Sequence, residues 1–584
     1  MSWYLDIMKQ NLGEDDRRWL QKIWAPTVVG VPPSDALRGL CVMPDGELRC
    51  YGERDKQTVY GGSGEPIYLS SRNCGLSWTA HSLQGKRYLG ASVRSPWSGK
   101  YVMLHNVLSG DAKGLYAATS MLGPDDPAPI RRRIDDKVYQ VILPPVPMAS
   151  RKRWLCGMHL VEDHHYHPVV ACSDDDGESW VLHHLPACPD HEIKPPHRGL
   201  RWQNSGAEPS VIELPDGRVM LIARNSLNEL YAYYSEDGGD TWTSGEPSGF
   251  HATLTTPALL RLHDGRVLLF WCNTQPLPEV NHEETWPPVN TSTINGLGED
   301  VFTNRDANHA AITADGVHWT GFREMFLNEI RGRADFRSCG GPRSSADKSV
   351  HQFQALELPY NKVLVAFGQH NISRRMVIFD IDWLLETERH EDFSLGLDGI
   401  STHVFVKSVS GTPLYWKQKP GHCSWNRTAG AMLVPDPDAT YGEVLQICRI
   451  HDPRLVSELQ GAVWNFPAAA QGEVALELRI AGAGLRLSLT DRWFNVIDTT
   501  VADEAQFTVT LTAEQITPDV WHQIRLVFDR EQAAVTVFDG ETPLATLPIR
   551  SDLPNGFSYL HLQSLAEGAD PLGTYVRRID MHAN

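Results

Sequence analysis

The sequence lacks the features of several broad protein classes. Its formal net charge is −19, so it lacks the excess of basic residues that nucleic-acid-binding proteins carry. No stretch reaches the roughly 18 consecutive apolar residues of a membrane-spanning helix. Residues 1–24 have neither the basic start nor the apolar run of a signal peptide. These absences predict a protein without nucleic-acid or membrane partners, either cytoplasmic or a secreted or periplasmic bacterial protein whose signal was trimmed.

Cysteine patterns typical of metal sites are also missing. The 10 cysteines are scattered without a CxxC pair, so zinc-site spacing is absent. We therefore expect buried free thiols, which is the usual state of such residues. We expect neither a metal nor a cofactor.

The length of the chain predicts more than one domain. Its 584 residues exceed the roughly 250–300 at which a single hydrophobic core stops growing. Residues 1–25 carry tryptophan, leucine and isoleucine in short amphipathic stretches, which predicts a helical segment that packs on the main body.

A short motif that ends in tryptophan recurs along the first two thirds of the chain. Its copies read SRNCGLSW (71–78), SDDDGESW (173–180), SEDGGDTW (235–242) and TADGVHW (313–319). In each copy an Asp or Asn follows the Ser or Thr by two residues, and we expect it to cap its own tight turn. We expect the glycine to take a positive φ angle and the tryptophan to fold under the hairpin.

We call these tryptophan-ended motifs Asp boxes. A second turn motif, which we call the DG turn, alternates with them along the chain. Its copies read MPDGEL (43–48), LPDGRV (214–219), LHDGRV (262–267) and the degenerate LPYNKV (358–363), and each joins two apolar strands. The two motifs together define a four-stranded antiparallel blade, and blades in series form a β-propeller. We predict six blades over residues 26–395, with a strand near the N-terminus closing the last one.

The boxes stop near residue 400, and alternating strands follow to the end of the chain. This pattern predicts a jelly-roll β-sandwich over residues 400–584. WHQIRLVFDREQAAVTVFDG (521–540) resembles laminin-G/concanavalin-like sandwiches. Such domains bind sugars or serve as packing and dimer modules, and both roles stay open because fold alone does not give function.

The boxes, together with GAEPSVIELPDGRVMLIARN (206–225), resemble the Asp-box propellers of the sialidase (neuraminidase) superfamily over residues 30–385. Sialidases hold the carboxylate of their sugar with three arginines from different blades, because guanidinium forks match a carboxylate in geometry. The resemblance therefore implies a pocket for an acidic sugar and an all-β fold, a six-bladed propeller followed by the sandwich.

The resemblance assigns substrate-binding arginines one at a time. Arg224 lies sixteen residues after Glu208, and Arg305 lies eight residues before the box residue Thr313, as the family spacing implies. Arg38 in DALRGLCVMPDG is the best match to the first arginine, although the Ile-Pro of the family motif is missing. Arg54 fits a further family arginine near the acid/base loop.

The catalytic residues match the family less well. Sialidases use a tyrosine nucleophile that a glutamate activates, and Glu208 matches that glutamate as general base. The position of the tyrosine falls on Gln352, with His351 beside it, so the usual nucleophile is missing. His351 is a base or nucleophile in its place, or a hydrogen-bonding filler. Asp55 is the nearest candidate for the acid, with Glu65 in reserve.

A histidine-rich stretch, EDHHYHPVVACSDDDG (162–177), adds one more candidate. His165 lies eight residues before the box residue Ser173, an offset that predicts a position toward the propeller axis and a substrate contact. A metal site made of His164, His165 and His167 is disfavoured, because alternating strand faces would separate them.

These features predict an exo-glycosidase that hydrolyses a terminal acidic sugar from an oligosaccharide or glycoconjugate, with an atypical nucleophile site. The sugar is sialic acid or a related ulosonic or uronic sugar. Two alternatives stay open: a polysaccharide lyase that acts on a uronate, and a non-catalytic protein that binds acidic glycans. An oligomer through the sandwich is compatible with all three.

Overall fold

The computed structural model describes most of the chain, namely residues 3–34, 39–54, 64–86, 88–163, 165–192, 205–276, 305, 307–327, 350–368, 373–402, 404–406, 426–428, 430–450, 460–496, 498–550 and 552–584. The fold is all-β, as predicted. Helices in these ranges are short: α1 (Leu5–Asn11), α2 (Glu14–Lys22), a 3-10 helix (Ile381–Leu385) and α3 (Val501–Glu504). Across these same ranges, none of the helices has the length and apolar character needed to cross a membrane.

Six four-stranded antiparallel sheets form the blades of the propeller. The first strand in the chain, β1 (Thr27–Gly30), belongs to blade 6. Blades 1 to 3 consist of β2 (Leu40–Val42), β3 (Leu48–Arg54), β4 (Glu65–Ser71) and β5 (Thr79–Ser82); β6 (Val93–Arg94), β7 (Tyr101–Val107), β8 (Gly114–Ser120) and β9 (Ile130–Asp135); and β10 (Val146–Pro147), β11 (Trp154–Glu162), β12 (His165–Ser173) and β13 (Val181–His184). Blades 4 to 6 consist of β14 (Ala207–Glu213), β15 (Val219–Arg224), β16 (Glu229–Ser235) and β17 (Glu246–His251); β18 (Ala258–Arg261), β19 (Val267–Trp271), β20 (Ala307–Thr313) and β21 (Trp319–Leu327); and β22 (Gln354–Leu358), β23 (Lys362–Phe367) and β24 (Arg375–Asp380) with β1.

The ring of blades closes through the N-terminal strand. β1 pairs antiparallel with β24, with Thr27 opposite Ile378, and so completes blade 6. Because the first strand of the chain completes the last blade, main-chain hydrogen bonds join the two ends of the propeller. The six-bladed propeller predicted from the repeats is confirmed.

The Asp boxes form the turns that the sequence predicts. In the box of blade 3, Ser173 Oγ accepts a hydrogen bond from the Gly177 N–H at 2.9 Å and donates to Asp175 at 2.9 Å. The indole N–H of Trp180 folds back and donates to the Gly177 carbonyl at 3.2 Å. The box at 235–242 repeats these contacts. These two boxes therefore satisfy buried polar groups with partners inside the turn itself.

The turns lie on one face of the ring and the candidate site on the other. In blade 4 the DG turn joins β14 to β15, and the Asp box joins β16 to β17. The opposite ends of β14 and β15 meet where Ala207 pairs with Arg224. We call the face that carries the DG turns and boxes the turn face, and the face that carries Glu208 and Arg224 the site face.

The N-terminal helices pack against the first and last blades. Leu5 and Met8 of α1 are buried in one apolar cluster with residues of blades 1 and 6, among them Leu40 and Ile378. This contact covers the joint between the first and last blades. The cysteines in the described ranges are buried thiols, also as predicted.

The C-terminal third of the chain forms a β-sandwich, as predicted. Its strands are β25 (Glu388–Glu391), β26 (Val404–Val406), β27 (Asn426–Thr428), β28 (Met432–Pro435), β29 (Glu443–Arg449), β30 (Gly461–Ala469), β31 (Gln471–Ile480), β32 (Leu485–Thr490), β33 (Phe507–Leu511), β34 (Trp521–Asp529), β35 (Ala534–Asp539), β36 (Thr542–Pro548), β37 (Phe557–Ser564) and β38 (Asp570–Ala583). One sheet has the order β28-β29-β38-β31-β34-β35-β36, with β25 also paired to β38, and the other has the order β30-β37-β32-β33. β26 and β27 form a separate pair.

The change from propeller to sandwich comes earlier than the predicted limit of residue 395. β25 lies inside the predicted propeller range, yet it pairs with β38 of the sandwich, with Glu388 opposite His582. Pairing partners so far apart in sequence leave no local signal, because strand register depends on the partner as much as on the strand.

Removal of one Asp-box hydroxyl tests the contribution of these turns to stability. Ser235 is 2% exposed, and its hydroxyl accepts a hydrogen bond from the buried Gly239 N–H at 2.7 Å. Ser235→Ala leaves that N–H without its acceptor, so we expect a loss of about 1–3 kcal/mol in the free energy of unfolding. Urea denaturation followed by tryptophan fluorescence measures the loss.

The matched control is Ser244→Ala, because Ser244 is exposed and its hydroxyl contacts only the side chain of Glu246, at 3.2 Å. We expect this change to stay within about 0.5 kcal/mol. Equal effects of the two substitutions would contradict a structural role for the box.

Candidate functional site

Three side chains from different parts of the ring converge on the carboxylate of Glu208. Glu208 is 6% exposed, and its Oε2 lies 3.0 Å from Nη1 of Arg224. The Thr256 hydroxyl donates to the same oxygen, and the Gln352 amide approaches it at 3.5 Å. These groups come from the two inner strands of blade 4, from the loop between blades 4 and 5, and from the start of blade 6.

The backbone at Glu208 is bent away from regular strand geometry. Glu208 has a φ angle of +49°, and the β14–β15 register shifts between Ala207 and Ser210. A bulge of this kind re-aims a side chain, and a positive φ is costly for a residue other than glycine. The freed Glu208 N–H donates to Nδ1 of His159 on β11 at 3.1 Å, which ties the bulge to blade 3.

Arg305 and His351 lie side by side in the same region. Arg305 is 3% exposed and its Nη1 donates to the Leu254 carbonyl at 3.0 Å. The same nitrogen lies 3.4 Å from Nδ1 of His351, which is 1% exposed. His351 directly precedes Gln352, and Leu254 lies two residues from Thr256, so these contacts join the group around Glu208.

We call this group the Glu208 cluster. It comprises His159, Glu208, Arg224, Thr256, Arg305, His351 and Gln352. The structure thus brings together five of the site residues that the sequence predicts.

The electrostatic environment keeps Glu208 ionised. Burial alone would raise the pKa of its carboxyl, but the positive charge of Arg224 and the hydrogen bond from Thr256 outweigh burial and lower the pKa to about 2. The cluster holds two buried guanidinium groups, one paired with the Glu208 carboxylate and the other beside His351. That composition suits an anionic ligand, since guanidinium groups bind carboxylates in bidentate fashion.

Two predicted residues lie outside the described ranges, namely Arg38 and Asp55. Arg54, at the end of β3, is described and forms an ion pair with Glu65 at 3.7 Å. Both side chains of this pair are more than 40% exposed. Arg54 and the reserve acid Glu65 are thus partners of each other on the rim of blade 1.

His165 lies at the rim of blade 3. Its side chain is 40% exposed, and its ring bonds to the Asp163 carbonyl at 2.9 Å and approaches Asp190 at 3.4 Å. The hydrogen bond to Asp163 and the nearby Asp190 carboxylate raise the pKa of His165. Its neighbour His164 lies outside the described ranges.

Sequence reasoning missed two members of the cluster, His159 and Thr256. His159 on β11 lies opposite Pro168, five residues before the Asp box of blade 3. In blade 4, Arg224 on β15 directly follows Ala223, which lies opposite Tyr231, four residues before the Asp box, so the two side chains occupy equivalent positions. Superposition of the blades by register could therefore have identified His159. Thr256 belongs to no motif, and nothing in the sequence distinguishes it.

The donor set of the cluster does not suit a metal ion. No group of three His, Cys, Asp or Glu side chains in the described ranges is arranged to hold one. The cluster offers one carboxylate oxygen that guanidinium, hydroxyl and amide donors already share.

A family comparison bears on the propeller. Residues 137–326, which span blade 3 to blade 5, match the BNR repeat-like domain. The match covers three of the four Asp boxes of the propeller. The comparison with curated proteins gave no match.

Solved structures similar to the chain include sialidases. A Trypanosoma rangeli sialidase in complex with 2,3-difluorosialic acid is 11% identical, with 96% of this chain and 94% of that chain covered and a TM-score of 0.34. The NanB sialidase of Streptococcus pneumoniae is 10% identical over 64% of this chain and 73% of that chain, with a TM-score of 0.36. A protein of unknown function from Dyadobacter fermentans is 16% identical over 62% of this chain and 99% of that chain, with a TM-score of 0.37.

The pH dependence of stability tests the ionised state of Glu208. Its folded-state pKa of about 2 lies below the unfolded value of 4.5. The ionised carboxylate therefore stabilises the fold fully above pH 4.5, and this contribution is lost as the pH falls through 2. We expect the unfolding free energy of the wild type, relative to Glu208→Gln, to fall by about 3 kcal/mol across that window. Urea titrations at several pH values measure it, and a constant difference would refute the ionised state.

Proposed function

We propose that this protein is an exo-acting glycosidase that hydrolyses a terminal acidic sugar. The buried ion pair between Arg224 and the Glu208 carboxylate on the site face carries the proposal, together with a second buried arginine, Arg305, in contact with His351 of the same cluster. Sialic acid or a related ulosonic or uronic sugar fits this chemistry, because each carries a carboxylate that guanidinium groups bind in bidentate fashion.

The two arginines hold the substrate carboxylate in this proposal. Both are more than 90% buried, so their guanidinium groups act where water screens charge weakly. Arg38 supplies the third arginine that the sialidase resemblance implies. Gln352 lies in the same cluster, and in this proposal its amide donates to a sugar oxygen.

Glu208 is the base, and water is the nucleophile. In the described part of the chain, the Glu208 carboxylate contacts Arg224, Thr256 and Gln352, and none of its partners is a tyrosine. A carboxylate with no tyrosine to activate can take a proton from water, which attacks the anomeric carbon as the glycosidic C–O bond breaks. The leaving oxygen takes its proton from Asp55, with Glu65 in reserve, and the configuration inverts.

His351 has a positioning role in this scheme. The sequence predicts that it acts where sialidases use tyrosine, yet its ring lies 3.4 Å from the Arg305 guanidinium. A contact with a substrate-binding arginine favours orientation of that arginine over nucleophilic attack. His351 thereby helps to fix the carboxylate of the sugar.

Substrate binding would raise the basicity of Glu208. Arg224 lowers the pKa of Glu208 in the ligand-free protein, and a bound sugar carboxylate would share the same guanidinium group. A shared cation stabilises the ionised Glu208 less, so its pKa rises toward the range useful for a general base. Substrate binding would thus make Glu208 a stronger base.

Activity measurements on matched arginine variants test the proposal. We expect release of 4-methylumbelliferone from at least one 4-methylumbelliferyl glycoside of an acidic sugar. Arg224→Lys keeps the charge but loses the guanidinium fork, so we expect kcat/KM to fall at least about tenfold. Glu208→Gln removes the base, and we expect a fall of at least about a hundredfold.

Arg218→Lys is the control, because Arg218 pairs with Asp216 in the DG turn on the turn face. We expect it to retain wild-type activity. Turnover of neutral glycosides alone, or full activity in Arg224→Lys and Glu208→Gln, would overturn the proposal. An unsaturated product that absorbs in the ultraviolet would instead identify a lyase, and binding without turnover would identify a glycan-binding protein.

The pH profile of the reaction tests the switch in basicity. The acidic limb of kcat/KM reports the free enzyme, where the pKa of Glu208 is about 2. The acidic limb of kcat reports the enzyme–substrate complex, and we expect it at a higher pH. Coincident acidic limbs would show that the substrate carboxylate does not share Arg224 with Glu208.

A further inference from the structure

A short loop between blades 4 and 5 carries two contacts of the Glu208 cluster. The loop, residues 252–257, follows β17 and precedes β18. Its Thr256 hydroxyl donates to Glu208, and its Leu254 carbonyl accepts from Arg305 at 3.0 Å. One contact of Glu208 and one contact of Arg305 therefore depend on the position of this loop.

The start of the loop is held by the sandwich. His251, the last residue of β17, lies 3.1 Å from the carboxylate of Asp491, in the segment that follows β32. Arg492 donates to Asp491 at 2.8 Å and lies 3.5 Å from the same His251 ring. This contact ties the propeller to the sandwich at the residue next to the loop.

A second strand end of the propeller is held by the same sandwich segment. Gln275, beyond β19, accepts a hydrogen bond from Arg492 at 2.7 Å, and its N–H donates to the Trp493 carbonyl at 2.8 Å. The side chain of Asn273 donates to the Asp491 carbonyl at 2.8 Å. Residues 491–493 therefore bind the propeller through both side chains and backbone.

The two propeller segments also contact each other. The hydroxyls of Thr253 and Thr274 lie 3.3 Å apart, and both residues are at most 1% exposed. The indole of Trp271 donates to the His251 carbonyl at 3.0 Å. Buried, satisfied polar contacts of this kind restrict a loop to one arrangement.

We propose that Asp491 and Arg492 of the sandwich are positioning residues for the Glu208 cluster. They fix His251 and Gln275, and through them the loop that presents Thr256 and the Leu254 carbonyl. The sandwich is thus a part of the catalytic unit and not only an appended sugar-binding or packing module. The effect on activity rests on the proposed function, whereas the effect on the mobility of the loop does not.

The test is a double-mutant cycle with Asp491→Asn and Thr256→Val on the full chain. If Asp491 acts through the loop, Asp491→Asn lowers kcat/KM about tenfold in the wild type and by a smaller factor when Thr256→Val is already present, because only the contact of Leu254 with Arg305 is then left to disturb. Asp436→Asn is the matched control: Asp436 is a buried carboxylate paired with Arg577 at 2.8 Å, within the eight-stranded sheet. We expect it to leave kcat/KM unchanged in both backgrounds.

The independent arm is hydrogen exchange of the amides in residues 252–256, read by mass spectrometry. We expect faster exchange in Asp491→Asn and wild-type exchange in Asp436→Asn, because only the first releases the loop. Unchanged exchange in Asp491→Asn would overturn the proposal, and so would an equal fall of kcat/KM in both backgrounds. If the wild type turns over no acidic glycoside, the proposed function fails, and hydrogen exchange alone decides the positioning claim.

Discussion

The buried ion pair between Glu208 and Arg224 is the interaction on which the candidate site depends. Removal of two charges from water is costly, and such a pair is stable only when further hydrogen bonds satisfy its remaining atoms. Thr256 and Gln352 provide such donors at the Glu208 carboxylate. The pair therefore holds a guanidinium group in a fixed orientation, ready to share with an incoming carboxylate, and it sets the ionisation state of the only acid in the described part of the cluster.

The rest of the fold serves to hold that pair in place. Glu208 and Gln352 both adopt left-handed backbone angles, with φ of +49° and +70°, which a chain keeps only when its surroundings fix them. The closed ring of six blades provides such surroundings, because each blade packs against two neighbours. The sandwich adds to them at His251 and Gln275, so a site on the propeller depends on residues about 240 positions later in the chain.

Much of the fold could be predicted because its signals are local. The Asp boxes and DG turns hold their glycines and capping side chains within a few residues, so the six blades followed from the sequence. Glu208, Arg224 and Arg305 were predicted from the sialidase resemblance, at the spacings that it implies. His165 shares the box offset of Arg305 but lies at the rim, because β11 and β12 stay paired out to Glu162 and His165. Thr256 and the pairing of β25 with β38 depend on distant partners, and no local pattern marks them.

Calorimetric binding of a free acidic monosaccharide tests most directly the proposal that the Glu208 cluster binds the carboxylate of a sugar. Sialic acid, its methyl ester and a uronic acid with its own ester are titrated into the wild type, Arg224→Ala and Arg218→Ala. We expect at least one free acid to bind the wild type and Arg218→Ala, while its ester and the Arg224→Ala variant show no binding. Equal binding of acid and ester, or unchanged binding in Arg224→Ala, would contradict it.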